Sequence, residues 1–278
     1  MPIIIPGGGG SPTRRRSMVR KRRARVPTAD TKSFLFDGTS DYVSQGNTGI
    51  GYFGLNDVSM GPWTVSVWFK TSFSSSYQWL WSIYDAGYSD WARIFLGIGA
   101  SGYSIIYQTN STPFAWDGTM GVGGTGANPY IGQAAGGASN PLCDGNWHHV
   151  SVTCEGASST GKLKLYVDGS LASTGTQATA VVDPDRIQRV SGYDYNDTLN
   201  FNGNVAQVTL IKSELSTTDI TSLYNGGNGA NPSPFSPYQW YRFGDDPSDT
   251  TTLVVDNGSS GVNLTGYGPP TIVTDAPP

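Results

Sequence analysis

Gly161-Lys162-Leu163-Lys164-Leu165-Tyr166-Val167-Asp168-Gly169 runs directly into Ser170-Leu171-Ala172-Ser173. Apolar and polar side chains alternate from Lys162 to Leu165, the period of two that turns one face of a strand inward and the other toward water. Asp168-Gly169 is a dipeptide suited to a two-residue hairpin turn, whose central residues both need positive φ. The stretch therefore predicts two antiparallel strands joined by a tight turn.

The same pattern repeats along the chain. Trp63-Thr64-Val65-Ser66-Val67-Trp68-Phe69 puts Trp63, Val65, Val67 and Phe69 on one face, and Trp147 to Thr153 alternates likewise. Ser33 to Phe36 leads into the turn signal Asp37-Gly38. Trp79 to Tyr84 is strand-like, Ala92 to Ile98 pairs with Tyr103 to Gln108 across Gly99 to Gly102, and Asn204 to Ile211 is the last clear strand of the series. One segment reads as a helix. Ser216 is a suitable N-cap, Asp219 follows three residues on, Ile220, Leu223 and Tyr224 give a short apolar face, and Gly226-Gly227 stops it. Many short strands and a single short helix predict an all-β fold, an antiparallel β-sandwich. Residues 110–142 are rich in Gly, Ala, Asn and Pro and read as a long loop.

The chain has 278 residues, of which 14% are charged. That is far below the usual ~25% and excludes coiled coils and long-helix proteins. Only two acids are glutamate, Glu155 and Glu214, which argues against a glycosidase built on a glutamate pair. No apolar run approaches the ~20 residues of a membrane-spanning helix, so no membrane insertion is expected.

The net charge of −4 hides a strong polarity. Arg14, Arg15, Arg16, Arg20, Lys21, Arg22, Arg23 and Arg25 stand in a stretch without an acid, and the remainder of the chain carries a net −12. Such a block reads as a disordered or extended arm for a polyanion or an acidic surface. Arginine suits phosphate through its planar fork, and the lack of aromatic residues in the arm leaves nothing to stack on bases. The opening MPIIIPGGGGSP does not read as a signal peptide, because its apolar stretch is short, proline interrupts it and the basic run follows it. The triplets at Asn110, Asn196 and Asn263 are then chance matches to a glycosylation site. Cys143 and Cys154 flank a predicted strand that would hold them more than ~20 Å apart, too far for a disulfide, so free thiols are expected.

Several stretches, in order, resemble the laminin G-like (concanavalin A-like) jelly rolls. They are Phe36-Asp37-Gly38-Thr39-Ser40-Asp41-Tyr42-Val43, Trp63 to Lys70, Asp144-Gly145-Asn146-Trp147-His148-His149-Val150, Gly161 to Gly169, and Phe201 to Asn225. The resemblance spans roughly residues 33–227 and implies a jelly-roll sandwich; it says less about function, since this fold hosts many. It divides the chain into an arm (1–30), the jelly roll (31–227) and a C-terminal extension (228–278). Tyr241-Arg242-Phe243, Asp256 to Gly261 and Asn263-Leu264-Thr265 resemble a leader segment that often precedes such a jelly roll, so the extension is expected to add edge strands to this sandwich or to a neighbour's. Many relatives carry a pair of acids where this chain has Ala206-Gln207, and some bind calcium nearby; the substitution puts a calcium site in doubt, and no other cofactor is implied. The glutamate-bearing active-site strand of the related glucanases is absent.

No catalytic residue is assigned. His148 and His149, the only histidines, point to opposite faces of one strand and read as structural, without a nucleophile partner. Asp37, Asp41, Asp144 and Asp168 read as turn residues. Of the aromatic cluster Tyr77, Trp79, Trp81, Tyr84, Tyr88 and Trp91, the tryptophans Trp79 and Trp81 are expected in the core with Ile83, and Tyr84, Tyr88 and Trp91 are the candidate glycan contacts. Jelly rolls of this kind resemble domains of phage structural proteins. With a cationic arm and no export signal, the resemblance implies a non-catalytic virion structural protein, a phage capsid-associated or decoration protein made in the host cytoplasm. The arm would anchor a homo-oligomer to capsid protein or genome nucleic acid, and the jelly roll would hold host surface glycans. The alternatives are a carbohydrate-binding lectin module unrelated to virions, and a carbohydrate-active enzyme.

Overall fold

The computed structural model describes residues 30–45, 62–85, 91–97, 103–110, 130–134, 139–156, 162–176, 186–192 and 199–278. The strands, in chain order, are β1 (Ser33–Asp37), β2 (Tyr42–Ser44), β3 (Trp63–Lys70), β4 (Gln78–Asp85), β5 (Trp91–Leu96), β6 (Tyr103–Asn110), β7 (Tyr130–Ala134), β8 (Trp147–Cys154), β9 (Lys162–Val167), β10 (Ser170–Thr176), β11 (Arg186–Val190) and β12 (Asn202–Ile211). After the helix α1 (Thr217–Tyr224) come β13 (Gln239–Tyr241), β14 (Leu253–Val254), β15 (Leu264–Tyr267) and β16 (Thr271–Val273). Two antiparallel sheets form a sandwich. The first runs β10-β9-β8-β3-β12-β1-β16 with β13 also on β12; the second runs β14-β15-β2-β11-β4-β5-β6-β7.

The hairpin between β9 and β10 forms as the sequence predicts, with Asp168 at φ 48° and Gly169 at φ 74°. Trp63, Val65, Val67 and Phe69 face the second sheet and join Val150, Val152, Leu163 and Leu165 in the core. From the second sheet come Val43, Trp81, Ile83, Ile94 and Leu96. The outer face of the first sheet is covered by α1, whose Ile220 and Leu223 pack on Tyr166, Ile211 and Leu215. Ser216 and Asp219 make a reciprocal capping box at its start. It ends at Asn225, in the left-handed conformation at φ 50°, one residue before the expected glycines.

The C-terminal segment threads through both sheets of its own sandwich. Strand β13 lies on the second half of β12, β16 pairs with β1, and β15 pairs with β2. Within the expected loop, Tyr130–Ala134 is a strand, β7, at the edge of the second sheet. Cys143 and Cys154 are both free and buried. Among the described residues, no helix is long and apolar enough to cross a membrane.

Candidate functional site

With α1 on the first sheet, the outer face of the second is where a distinctive side-chain pattern stands. Cross-strand pairing lines up Thr265, Ser44, Arg189, Ser82 and Arg93 on neighbouring strands. The Arg93 guanidinium lies 3.8 Å from the centre of the Trp79 ring and 5.3 Å from that of Phe95, and Trp79 and Phe95 stack at 5.3 Å. The Arg189 guanidinium lies 3.2 Å from the centre of the Tyr42 ring. A weakly hydrated, planar cation is well suited to the negative face of an aromatic ring. Both arginines are buried.

At the β2–β15 edge this face reaches solvent. Tyr267 pairs with Tyr42 in register, and the rings stack at 4.7 Å with an interplanar angle of 15°. Tyr42 is half-buried, while Tyr267 is 42% exposed. Three planar groups thus gather here, from the buried guanidinium of Arg189 to the solvent-facing ring of Tyr267. An exposed ring held rigid by a second ring is a surface for the apolar face of a sugar. Local sequence gave no signal for it: Tyr42 stood in a strand motif and Tyr267 in the extension, and only the pairing of β15 with β2 unites them.

The aromatic contacts expected from sequence fare differently. Tyr84 is 2% exposed, which corrects its assignment as a surface contact. It lies inside the second sheet, with β11 on one side and β5 on the other, and its ring has no open face for a sugar. Tyr88 lies outside the described residues. Trp91 has only its backbone described, paired with Tyr84 and Asn110. The arm residues Arg14, Arg15, Arg16, Arg20, Lys21, Arg22, Arg23 and Arg25 lie outside the described residues. Trp79, Trp81 and Ile83 are buried, but a bulge between Trp79 and Trp81 puts Trp81 with Ile83 in the core and Trp79 on the Arg93 face.

The histidines do point apart. His148 is held between Asp168, 2.8 Å from Nδ1, and Asp144, 3.1 Å from Nε2. Burial alone would lower its pKa, but the two carboxylates outweigh it and the value rises above 6.5. His149 is buried against Trp68 at 4.9 Å, and burial lowers its pKa to about 4. Ser66 Oγ lies 2.6 Å from Nε2 of His149. Pairing of β3 with β8 brings the two together. Both sit buried on the α1-covered side, and no carboxylate bonds Nδ1 of His149, so the pair lacks the access and the orienting acid of a catalytic triad.

Asp37 and Asp144 act in turns, while the Asp168 carboxylate reaches back to His148 and to His149 N on β8. Asp37 accepts from Thr39 N at 2.7 Å, and Asp144 from Asn146 N at 2.8 Å. The calcium position of the relatives does not fit here. Ala206 offers a methyl group, and the Gln207 amide donates to Asp30 at 3.0 Å. Among the described residues, no group of three or more His, Cys, Asp or Glu side chains could hold a metal ion.

Comparison with known proteins agrees with this architecture. A protein from Bacteroides ovatus, a carbohydrate binding protein by name, is similar at 17% identity and a TM-score of 0.57, over 90% of this chain and 62% of that one. The heptameric SAP-like pentraxin from Limulus polyphemus is similar at 12% identity and a TM-score of 0.50, over 86% of this chain and 94% of that one. At such identities the likeness is one of fold. The chain spans 62% of the length of the Bacteroides protein. No curated protein matches the chain. Residues 37–221 match the family model described as the concanavalin A-like lectin/glucanases superfamily, and the chain belongs to that family.

Proposed function

We propose that this protein is a non-catalytic, lectin-like carbohydrate-binding domain that holds a sugar ring on the Tyr42–Tyr267 stack. The observation that carries the reading is the parallel pair at 4.7 Å with Tyr267 42% exposed, backed by a buried guanidinium. Such a stack presents a rigid apolar plane, with little side-chain freedom to lose on binding. Family membership supports the reading, as does the fold shared with the Bacteroides protein. The test is a glycan array probed with the full chain, followed by calorimetric titration of the best ligand. Tyr267→Ala should weaken binding at least tenfold, Tyr267→Phe should keep it, and the melting temperature should stay within a few degrees. An array without a bound glycan, or a Tyr267→Ala variant that binds normally, rejects the proposal.

A second reading, a virion structural protein displaying this domain, is favoured by one observation: eight cations without an acid in the first 25 residues. Electron microscopy of purified particles tests it. The protein found as a component of a viral shell supports it, and a solitary protein unaffected by loss of the arm rejects it.

A further inference from the structure

Three glutamines face one another inside the sandwich. Gln45 stands two residues after Val43, Gln188 two before Val190 and Gln239 two before Tyr241, so each shares the inward face of its segment with a core side chain. They are 6%, 1% and 2% exposed. The second sheet supplies Gln45 and Gln188 as neighbours, since Gln45 N donates to the Gln188 carbonyl oxygen at 3.0 Å. Gln188 also stands opposite Ile83 of β4, another core residue. The first sheet supplies Gln239, opposite Leu210 on β12. Its Nε2 donates across the core to Gln45 Oε1 at 3.5 Å.

That one long contact does not satisfy the set. Among the described residues, neither Oε1 nor Nε2 of Gln188 has a hydrogen-bond partner, and Oε1 of Gln239 has none. A primary amide withdrawn from water without partners is costly, and buried polar groups in folded proteins are bonded in the great majority of cases. We propose that Gln188 and Gln239 hold one ordered water molecule between the two sheets. The orphaned atoms are a matched set for it. Water accepts from Gln188 Nε2 and donates to Gln188 Oε1 and to Gln239 Oε1, about three bonds, as is usual for a buried water. The oxygen and the NH2 group of a primary amide lie side by side, so one water reaches both. None of the three side chains carries a charge. Two carbonyl oxygens beside an NH2 group suit neither a metal ion, which wants more oxygens, nor an anion, which wants a cation or several donors. The water ties β11 of the second sheet to β13 of the first, through the core. This inference is independent of the glycan reading, and its test contains no sugar.

The test is a high-resolution crystal structure of the full chain, with magnetic relaxation dispersion of the solvent to count slowly exchanging waters. Density should place a water within about 3.2 Å of both Gln188 and Gln239. Gln188→Leu should lose one slowly exchanging water. It should also melt about 2–4 °C lower, because Gln239 Oε1 then stays buried without a partner. Should that variant not fold, the density and the dispersion of the unaltered chain decide. A direct contact of the Gln188 amide with another side chain in the crystal would overturn the proposal. So would an unchanged water count in Gln188→Leu, or a Gln188→Leu variant that melts higher, as expected when a dry, unpaired amide is removed.

Discussion

His148 and His149 are neighbours on β8, yet His148 sits between two carboxylates and His149 packs in one cluster with the rings of Trp68 and Tyr224. Their pH responses therefore have opposite signs. The pKa of His148 is raised in the folded state, so its stabilising contribution is complete below 6.5 and is lost as pH rises through the folded value. The pKa of His149 is lowered to about 4, so its contribution is present above 6.5 and is lost as pH falls toward 4. The second loss is on the order of 3 kcal/mol at most. Thermal melts from pH 4 to 9 should show His149→Phe flattening the acid limb and His148→Gln flattening the fall in stability that begins above pH 6.5. If neither limb changes, this assignment of the two environments is wrong.

Arg242 compensates a buried carboxylate. Burial raises the pKa of Asp30 to about 6, even with the guanidinium beside it lowering it. Arg242→Leu should destabilise the fold by about 3–5 kcal/mol, because it leaves that carboxylate without its cation. Adding Asp30→Asn should restore much of the loss. Urea midpoints of the two single variants and the double variant measure the coupling; additive effects would refute it.

Burial also raises both thiols, Cys143 and Cys154, to a pKa of about 11. At neutral pH they are covered and protonated, and the reactive thiolate is scarce. A thiol reagent should find almost no reactive group in the native protein and two equivalents after unfolding. Rapid labelling of the folded chain would contradict this placement.

Gly266 lets β15 lie close to the segment before β14. A Cβ there would run into the Thr251 carbonyl oxygen, with Thr252 Cα at 3.0 Å. Gly266→Ala should cost about 1–3 kcal/mol. It should also weaken sugar binding, since Tyr267 is the next residue. Unchanged calorimetric affinity would separate the β15 position from the binding face.

Where the chain alternates cleanly, its strands were legible, as with Trp63 to Phe69. Strand β11 was not. Its Gln188 stands opposite Ile83, its Arg189 opposite Ser82, and both are buried, so polar residues occupy both faces and no period of two survives. Strand β7, Tyr-Ile-Gly-Gln-Ala, offers too little apolar contrast to be seen among glycines. Tyr84 was misplaced because parity along a strand names two faces without saying whether the outer one is open.

The sequence by itself determined what depends on neighbours along the chain. The Asp168-Gly169 turn follows from backbone sterics, the Ser216–Asp219 cap from the unpaired amides of a helix start, and the free cysteines from the length of the strand between them. Only the tertiary structure decided that Tyr42 meets Tyr267 and that Asp30 meets Arg242. Asp30 and Arg242 stand 212 residues apart along the chain, and Tyr42 and Tyr267 are no less distant. Pairing between distant segments is set by the shared burial of both sheets, which no local pattern encodes.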